Sequence, residues 1–263
     1  MNLHSPVSSV TCPVTNGAQG RFSPDQIPGL ALWLDPSDLS TVLKSSPGLV
    51  SQWTNKAGGH AFAMESDLYK PSWMDNQVNG RPVVRFDGTR RLIHTGTLTT
   101  AVSGSLIIVH RVTAPLPAAN TMLLSSADTA TTTYFIGFNG VLSSTIPNLN
   151  VWQTNNDTAD KVRGSTNLVA AVPYVMSWSS DGAAYILRVN MVDQALTVVG
   201  GANTGDWLGD TPNRDNVVLG GLVRTSFTQG LIGDIAYVLL YDRALSRHEM
   251  ETVENHLAWI FGV

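Results

Sequence analysis

The sequence predicts an all-β protein, an antiparallel two-layer sandwich that ends in one helix. Three observations predict it. Short runs of alternating apolar residues recur along the chain, turns rich in Gly, Asn, Ser and Asp separate them, and no helical period interrupts them before residue 246. At 263 residues the chain is long for an average domain, but sandwiches of this size fold as single units.

The first 22 residues differ from the rest. Residues 1–22 are polar and lack periodicity, which predicts an extended N-terminal arm before one domain over residues 23–263. An ordered arm has to dock on its own domain or on a neighbouring subunit. Cys12 is the only cysteine, so no intrachain disulfide can form. No basic start precedes an apolar run, which predicts that there is no secretory signal, and no apolar stretch predicts a membrane span.

The predicted strands follow in chain order. They lie at residues 30–35, 82–88, 105–112, 132–140, 172–190 (a hairpin), 216–222 and 233–241. In the third run, alternation puts Leu106, Ile108 and Val112 on one face. Asp181-Gly182 supplies the hairpin turn between two alternating runs.

The last strand and the helix close the chain. Strict alternation places Ile235, Tyr237 and Leu239 on one face of the strand and Ala236, Val238 and Leu240 on the other. Ser246 and Glu249 then have the S-x-x-E spacing of a capping box, which predicts the helix start. The apolar stripe that follows is predicted to cover an open part of the sandwich. It consists of Met250, Val253, Leu257 and Ile260.

Four stretches also match a known pattern. They are "IPGLALWLDPSDLSTV" at 27–42, "VSQWTNKAGGHAFAM" at 50–64, "KPSWMDNQVNGRPVVRFDGTRRLI" at 70–93 and "LIGDIAYVLLYDRALSRHEMETVENHLAWIFG" at 231–262. Together they resemble the concanavalin A-like lectin/glucanase superfamily, in its laminin-G-like bacterial and phage branch. The resemblance implies a jelly-roll sandwich. Residues 95–215 match only as generic strands, and Arg90 and Arg91 stand where relatives often carry a polar or acidic pair.

Composition narrows the classes of partner. Charged residues make up 14% of the chain, against about 25% in typical soluble domains. The net charge is -4, and no basic run is present to neutralise phosphates, which argues against a nucleic-acid partner. Hydroxyl and amide side chains fill the surface instead, and they suit contacts with proteins or with sugars.

The residues predict no enzyme. Glucanases of the resembled superfamily place alternate acids on one strand, but here Glu65 and Asp67 are followed by Tyr69 where a third acid is needed. The final helix is not H-E-x-x-H, because Thr252 stands where the second histidine belongs. His110 lies on an apolar strand face, which predicts a hydrogen-bonded interior histidine.

Two tryptophans are candidates for sugar binding. Sugars stack their C–H faces on aromatic rings and hydrogen-bond through their hydroxyls. Trp152 is followed by Asn155, Asn156 and Asp157, and Trp207 lies beside Asp206 and Asp210. The alternative is that both tryptophans anchor loops onto the sandwich.

One loop also has the composition of a calcium site. Four oxygen donors lie within ten residues: Asp206, Asp210, Asn213 and Asp215. Because Asp and Asn dominate ordinary turns, the alternative is a loop without metal. No other cofactor is predicted.

The sequence favours a non-enzymatic surface or structural protein of a tailed-phage virion, such as a capsid decoration protein, a tail fibre or an adhesin module. Its partners are then other virion proteins or copies of itself, contacted through the N-terminal arm, and host-surface glycan. The alternative is a bacterial extracellular carbohydrate-binding module. A glycoside hydrolase is a remote alternative, because its acids are missing. Fold by itself does not decide among these functions.

Overall fold

A computed structural model describes residues 22–45, 48–141, 148–155 and 158–263, and these contain twenty strands and one α-helix. The predicted arm, except Phe22, lies outside the described residues, so the division at residue 22 stays a prediction. The one helix is too short to cross a membrane, and no other described segment forms a candidate membrane-spanning helix.

Strands β1 to β10 span Leu30–Leu34, Val42–Ser45, Leu49–Thr54, Ala61–Ala63, Ser72–Val78, Arg81–Asp87, Leu92–Thr95, Gly104–Val112, Thr121–Ala127 and Phe135–Val141. Strands β11 to β20 span Asn150–Asn155, Thr158–Arg163, Pro173–Ser180, Tyr185–Val189, Val192–Asp193, Thr197–Gly200, Asn216–Leu219, Leu222–Val223, Phe227–Thr228 and Ile232–Tyr241. Helix α1 spans Arg247–Phe261.

The strands form two antiparallel layers, which confirms the predicted sandwich. The first layer runs β5–β6–β20–β8–β13–β14–β15, and β1 pairs with the C-terminal half of β20. The second layer runs β2–β3–β4–β7–β17–β9–β10–β11–β12–β16. A single pairing of β3 with β5, Leu49 with Ser72, joins the layers at one edge.

Alternation along the strands fills the core between the layers. Leu106, Ile108 and Val112 of β8 face this core as predicted, while Ile107 and Val109 face outward towards α1. The predicted hairpin is confirmed as β13 and β14, joined by a turn in which the Asp181 carboxylate accepts hydrogen bonds from two backbone amides. Its inward residues belong to the same core: Met176, Trp178, Tyr185, Leu187 and Val189.

The predicted faces of the last strand are wrong at its start. The pairing of β20 with β8 shifts between Ile235 and Tyr237. Such a bulge inserts one residue and reverses the alternation beyond it. Ile235 therefore joins Val238 in the core between the layers, and Ala236 faces α1 together with Tyr237.

Helix α1 packs on the outer face of the first layer, and its predicted capping box is confirmed. The Ser246 hydroxyl accepts from the Glu249 amide at 3.3 Å, and the Glu249 carboxylate accepts from the Ser246 amide at 2.9 Å. Met250, Val253 and Leu257 are buried against the strands, as the stripe predicts. The helix therefore covers one side of the sandwich.

The outer face of the second layer has a different cover. The short hairpin of β18 and β19 lies over part of it, where Leu222 packs with Phe135. The Ser125 hydroxyl of β9 donates to the Gly221 carbonyl at 2.7 Å and fixes the hairpin there. The strands beside the hairpin carry the candidate site.

Candidate functional site

The candidate site lies on the outer face of the second layer. Residues opposite each other on paired strands share a face. Trp152 pairs with Gly137 across β10 and β11, and Asn150 pairs with Asn139. Because Val151 between them belongs to the core, Trp152 and Asn150 must face outward.

Trp152 is half-buried on this face. Its ring packs edge-on against Phe135, with ring centroids 5.1 Å apart. Lys161, directly opposite on β12, places its Nζ 4.2 Å from the centre of the indole. Burial lowers the pKa of the Lys161 ammonium. One face of the indole is therefore shielded by a cation held in an unfavourable environment.

A row of unpaired polar groups runs beside this indole. We call it the Trp152 row; it consists of Thr121, Asn139, Asn150, Trp152 and Thr154. Asn150 is 0% exposed, yet neither its Oδ1 nor its Nδ2 has a hydrogen-bond partner. The Asn139 amide group donates to the Thr121 carbonyl at 3.1 Å, but its Oδ1 is unpaired.

The concentration of these groups is unusual. Of fourteen buried side-chain atoms without a partner among the described residues, six belong to the Trp152 row. Native proteins pair at least 90% of buried backbone groups and most buried side-chain groups, and each unpaired group costs about 1–3 kcal/mol. Unpaired donors and acceptors beside an aromatic ring are what a polyhydroxyl ligand can satisfy.

A cavity of about 340 Å³ opens at one end of the row. It is lined by Gly88, Pro117, Ala118, Ala119, Asn120, Thr121, Gln229, Gly230 and Ile232. The Thr121 Oγ1 and the Gln229 Oε1 are both buried and unpaired. This volume falls within the range of about 300–1,000 Å³ that is usual for small-molecule pockets.

The structure does not place Asn155, one of the other predicted glycan-binding residues, on the same face as Trp152. Asn155 is exposed at the end of β11, where alternation turns it to the opposite face from Trp152. Asn156 and Asp157 lie outside the described residues.

Trp207 is placed in the core rather than on a ligand surface. It is 0% exposed and packs edge-on against Phe138, with ring centroids 5.1 Å apart. Asp210 accepts the Trp207 amide hydrogen at 2.7 Å and fixes the turn that directs the indole inward. The enclosed ring of Trp207 fits the alternative that it anchors its loop, and its predicted role in glycan stacking is left untested.

The three aspartates among the predicted calcium donors accept hydrogen bonds within the protein, and calcium binding there stays a prediction. No group of three or more His, Cys, Asp or Glu among the described residues is placed to hold a metal ion. Asp215 instead accepts from the Thr129 amide at 3.2 Å. Asp206 accepts from the Thr204 hydroxyl at 2.8 Å, and burial together with Asp210 raises its pKa. These carboxylates, and the exposed Asn213, shape their own turns.

The residues tested for catalysis have structural environments. Glu65 and Asp67 are exposed, and a hydrogen bond from Lys70 lowers the pKa of Asp67. His110 is confirmed as an interior histidine: its Nδ1 lies 2.9 Å from the Asp234 carbonyl oxygen, and burial lowers its pKa to about 4. Neither environment resembles a raised acid beside a second carboxylate.

A second tryptophan–lysine pair lies on the outer face of the first layer. Lys56 Nζ is 4.2 Å from the Trp33 ring centre, and both residues line a groove of about 360 Å³. The Trp33 Nε1 donates to the Tyr237 hydroxyl at 2.7 Å, and Lys56 pairs with Asp38 at 2.9 Å. We call this cluster, with buried Asn55, the Trp33 site.

Sequence reasoning found Trp152 but missed its polar neighbours. Asn139 and Asn150 lie on different strands, and their contact depends on the β10–β11 register. A signal was present: in "FIGFNG" and in "NVWQTN" an Asn alternates with a core residue at a position that should face outward.

No known protein-family profile matches the sequence, and no curated protein matches it. Solved structures do resemble the fold. Domain 4 of AbnA, a GH43 extracellular arabinanase from Geobacillus stearothermophilus solved with arabinotriose, is 13% identical at a TM-score of 0.57. The match covers 86% of this chain and 98% of that domain.

Two sialidase structures match as well. The CBM40 of the Ruminococcus gnavus IT-sialidase, bound to α2,3-sialyllactose, is 19% identical at a TM-score of 0.50 and covers 59% of this chain and 83% of its own. A Trypanosoma rangeli sialidase with 2,3-difluoro-KDN is 13% identical at a TM-score of 0.58, covering 95% of this chain and 36% of its own. These likenesses show the fold alone, a jelly-roll sandwich also found in carbohydrate-binding domains; the laminin-G-like branch stays a prediction.

Proposed function

We propose that this protein is a non-catalytic carbohydrate-binding module whose glycan site is the Trp152 row. One observation carries the proposal: six buried donor and acceptor atoms without partners lie on one sheet face beside a half-buried indole. A sugar supplies both kinds of partner, since its hydroxyls donate and accept while its C–H face packs on an aromatic ring.

Each residue then has a role in binding. The Asn150 amide is enclosed in the ligand-free protein, so binding has to open this face; the amide can then donate two hydrogen bonds and accept two from adjacent hydroxyls of one sugar ring. Asn139 Oδ1 and Thr121 Oγ1 extend the row towards the 340 Å³ cavity. Lys161 shields the indole in the ligand-free protein, so a sugar that stacks on Trp152 displaces the ammonium from the ring.

The comparisons support this function more than a place in a virion. Two of the similar folds were solved with oligosaccharides, arabinotriose and sialyllactose. Nothing found supports a phage origin, a virion partner or a homo-oligomer, and these stay predictions. Since the proposed function is that of a carbohydrate-binding module, we also propose an extracellular location.

Replacing Trp152 tests the proposal. Trp152→Ala is expected to lower glycan affinity at least about thirtyfold, because buried aromatic anchors contribute about 2 kcal/mol or more to binding. Retention on a broad glycan array measures this, and circular dichroism checks the fold. Trp259→Ala, an exposed tryptophan on α1, is the matched control and should bind as the native protein does. A native protein that retains no glycan, or a Trp152→Ala variant that retains glycan fully, would contradict the proposal.

A further inference from the structure

Three cations gather on the face of the Trp152 row. Lys161 lies over the indole, and Arg163 is directly opposite Asn150 on β12. The Arg224 guanidinium lies 4.9 Å over the ring of Phe135. None of the three forms a salt bridge with a carboxylate of the described residues.

Other cations, on the first layer, bind buried carboxylates. Arg85 and Arg111 both bind the buried Asp234 carboxylate, and Arg188 binds the buried Glu254 carboxylate. Since the chain as a whole carries a net charge of -4, acids are available to pair with cations. The face of the Trp152 row differs from these clusters, because three cations lie together on it and none forms a salt bridge with a carboxylate of the described residues.

The nearby acids that the structure describes do not pair with these cations. Asp160 lies on the opposite face of β12 and accepts from the Ala202 amide at 2.6 Å. Asp128 and Asp215 follow and precede the strands that border the face, and each accepts from a backbone amide of the turn at 128–130. These carboxylates accept backbone hydrogen bonds that stabilise their loops, and none of them forms a salt bridge with the three cations.

Two of the three cations, Lys161 and Arg224, are also incompletely solvated. Arg224 donates to the Thr132 carbonyl at 2.8 Å, but its Nε is buried and without a partner. Burial lowers the pKa of both Lys161 and Arg224, which shows that their charged forms are disfavoured there. An anion brought to this face would relieve that cost.

We infer that the ligand of the Trp152 row is an acidic glycan, one that bears a carboxylate or a sulfate group. This inference rests on the proposed function and specifies its ligand. The planar Arg163 guanidinium matches the two oxygens of such a group, and Lys161 supplies a point charge beside the stacked sugar. The unpaired amides of the row bind the neutral hydroxyls of the same ligand.

An array that displays each oligosaccharide core in a neutral, a carboxylated and a sulfated form tests the inference. The native protein should retain acidic forms and release the matched neutral cores. Affinity measured by calorimetry should fall as salt rises from 0.1 to 1 M, since the screening length shrinks from about 10 to about 3 Å. If the native protein retains neutral and acidic forms alike, and Trp152→Ala retains neither, the inference of an acidic ligand is overturned and the proposed function stands.

Charge-removing variants complete the test. Lys161→Gln and Arg163→Gln should each lower affinity for the acidic glycan about tenfold, because a hydrogen bond to a charged group contributes about 1.5–3 kcal/mol. Lys56→Gln is the control, since Lys56 lies over a tryptophan at the same 4.2 Å on the other layer. Unchanged affinity in both Trp152-row variants would overturn the inference. A native protein that retains no glycan at all would overturn the proposed function as well.

Discussion

The Trp33 site and the Trp152 row contain the same three residue types on opposite outer faces of the sandwich. Each has a tryptophan, a lysine 4.2 Å from its ring centre and a buried asparagine. They differ in what their polar atoms contact. This difference separates a structural cluster from a candidate binding surface.

Every polar group at the Trp33 site has a partner within the protein. The Asn55 Oδ1 accepts from the Trp33 amide at 2.8 Å, and its Nδ2 donates to the Ala31 carbonyl at 2.8 Å. The indole and the ammonium bind Tyr237 and Asp38. Since nothing is left unpaired, the cluster stabilises the β1 region without a ligand.

The Trp152 row shows the opposite condition. The Trp152 Nε1 and both amide atoms of Asn150 are unpaired, and Lys161 has no carboxylate partner among the described residues. The same residue types therefore stabilise the fold at the Trp33 site and lower its stability at the Trp152 row. Binding sites commonly carry such a cost, because groups suited to a ligand are poorly satisfied without it.

The largest expected contrast is between the two asparagines. Asn55→Leu should lower the free energy of unfolding by about 3 kcal/mol, since it leaves buried backbone partners unpaired. Asn150→Leu keeps the side-chain shape and removes an unpaired buried amide, so it should raise the free energy of unfolding by about 1 kcal/mol. Urea unfolding at neutral pH measures both. Equal destabilisation by the two variants would show that Asn150 is satisfied within the protein and would remove the distinction.

A smaller contrast is expected between the two lysines. Lys56→Met removes a partly exposed ion pair with Asp38, which should lower the free energy of unfolding by about 0.5 kcal/mol. Lys161→Met keeps hydrocarbon over Trp152 and removes an incompletely solvated charge, so stability should hold or rise slightly. Thermal unfolding at low salt compares them. A clear loss of stability in Lys161→Met would mean that its ammonium stabilises the ligand-free fold.

The smallest effect concerns pH. Because burial lowers the pKa of Lys161 below that of an ordinary lysine, its ammonium loses the proton earlier as pH rises. Affinity for an acidic glycan should therefore fall through that alkaline range and should be fully present below it. Calorimetry across this range measures the fall, with Lys161→Gln as the control that lacks this titration. The same fall in the control would assign the effect to another group.

Local patterns predicted the sandwich, the closing helix and eight of the twenty strands that the structure describes. Residues two apart on β8 share a face, so its inward and outward sets could be read directly. The capping box of Ser246 and Glu249 fixed the start of α1 because its contacts lie within one helical turn. No strand was predicted around Trp152, which the structure places in β11, and its role in sugar binding stays a prediction.

The sequence could not decide a residue's role where its contacts are distant along the chain. It left Trp207 as either a glycan-binding residue or a loop anchor, and packing against Phe138 placed it in the core. Glu254, which is not part of the predicted apolar stripe, is also buried, with its carboxylate 3.0 Å from the Arg188 Nε and 2.7 Å from the Ser177 hydroxyl. The periodicity of apolar residues along one helix or strand gives no information about contacts with residues distant in sequence.

The sequence by itself determined the sandwich and its capping helix. Only the tertiary structure decided that Ile235 faces inward, that Trp207 is enclosed, and that Asn139, Asn150 and Trp152 share one surface. The physical reason is that alternation and capping are set by bonds within a few residues. Strand register, bulges and the pairing of buried polar atoms depend on segments brought together across the whole chain.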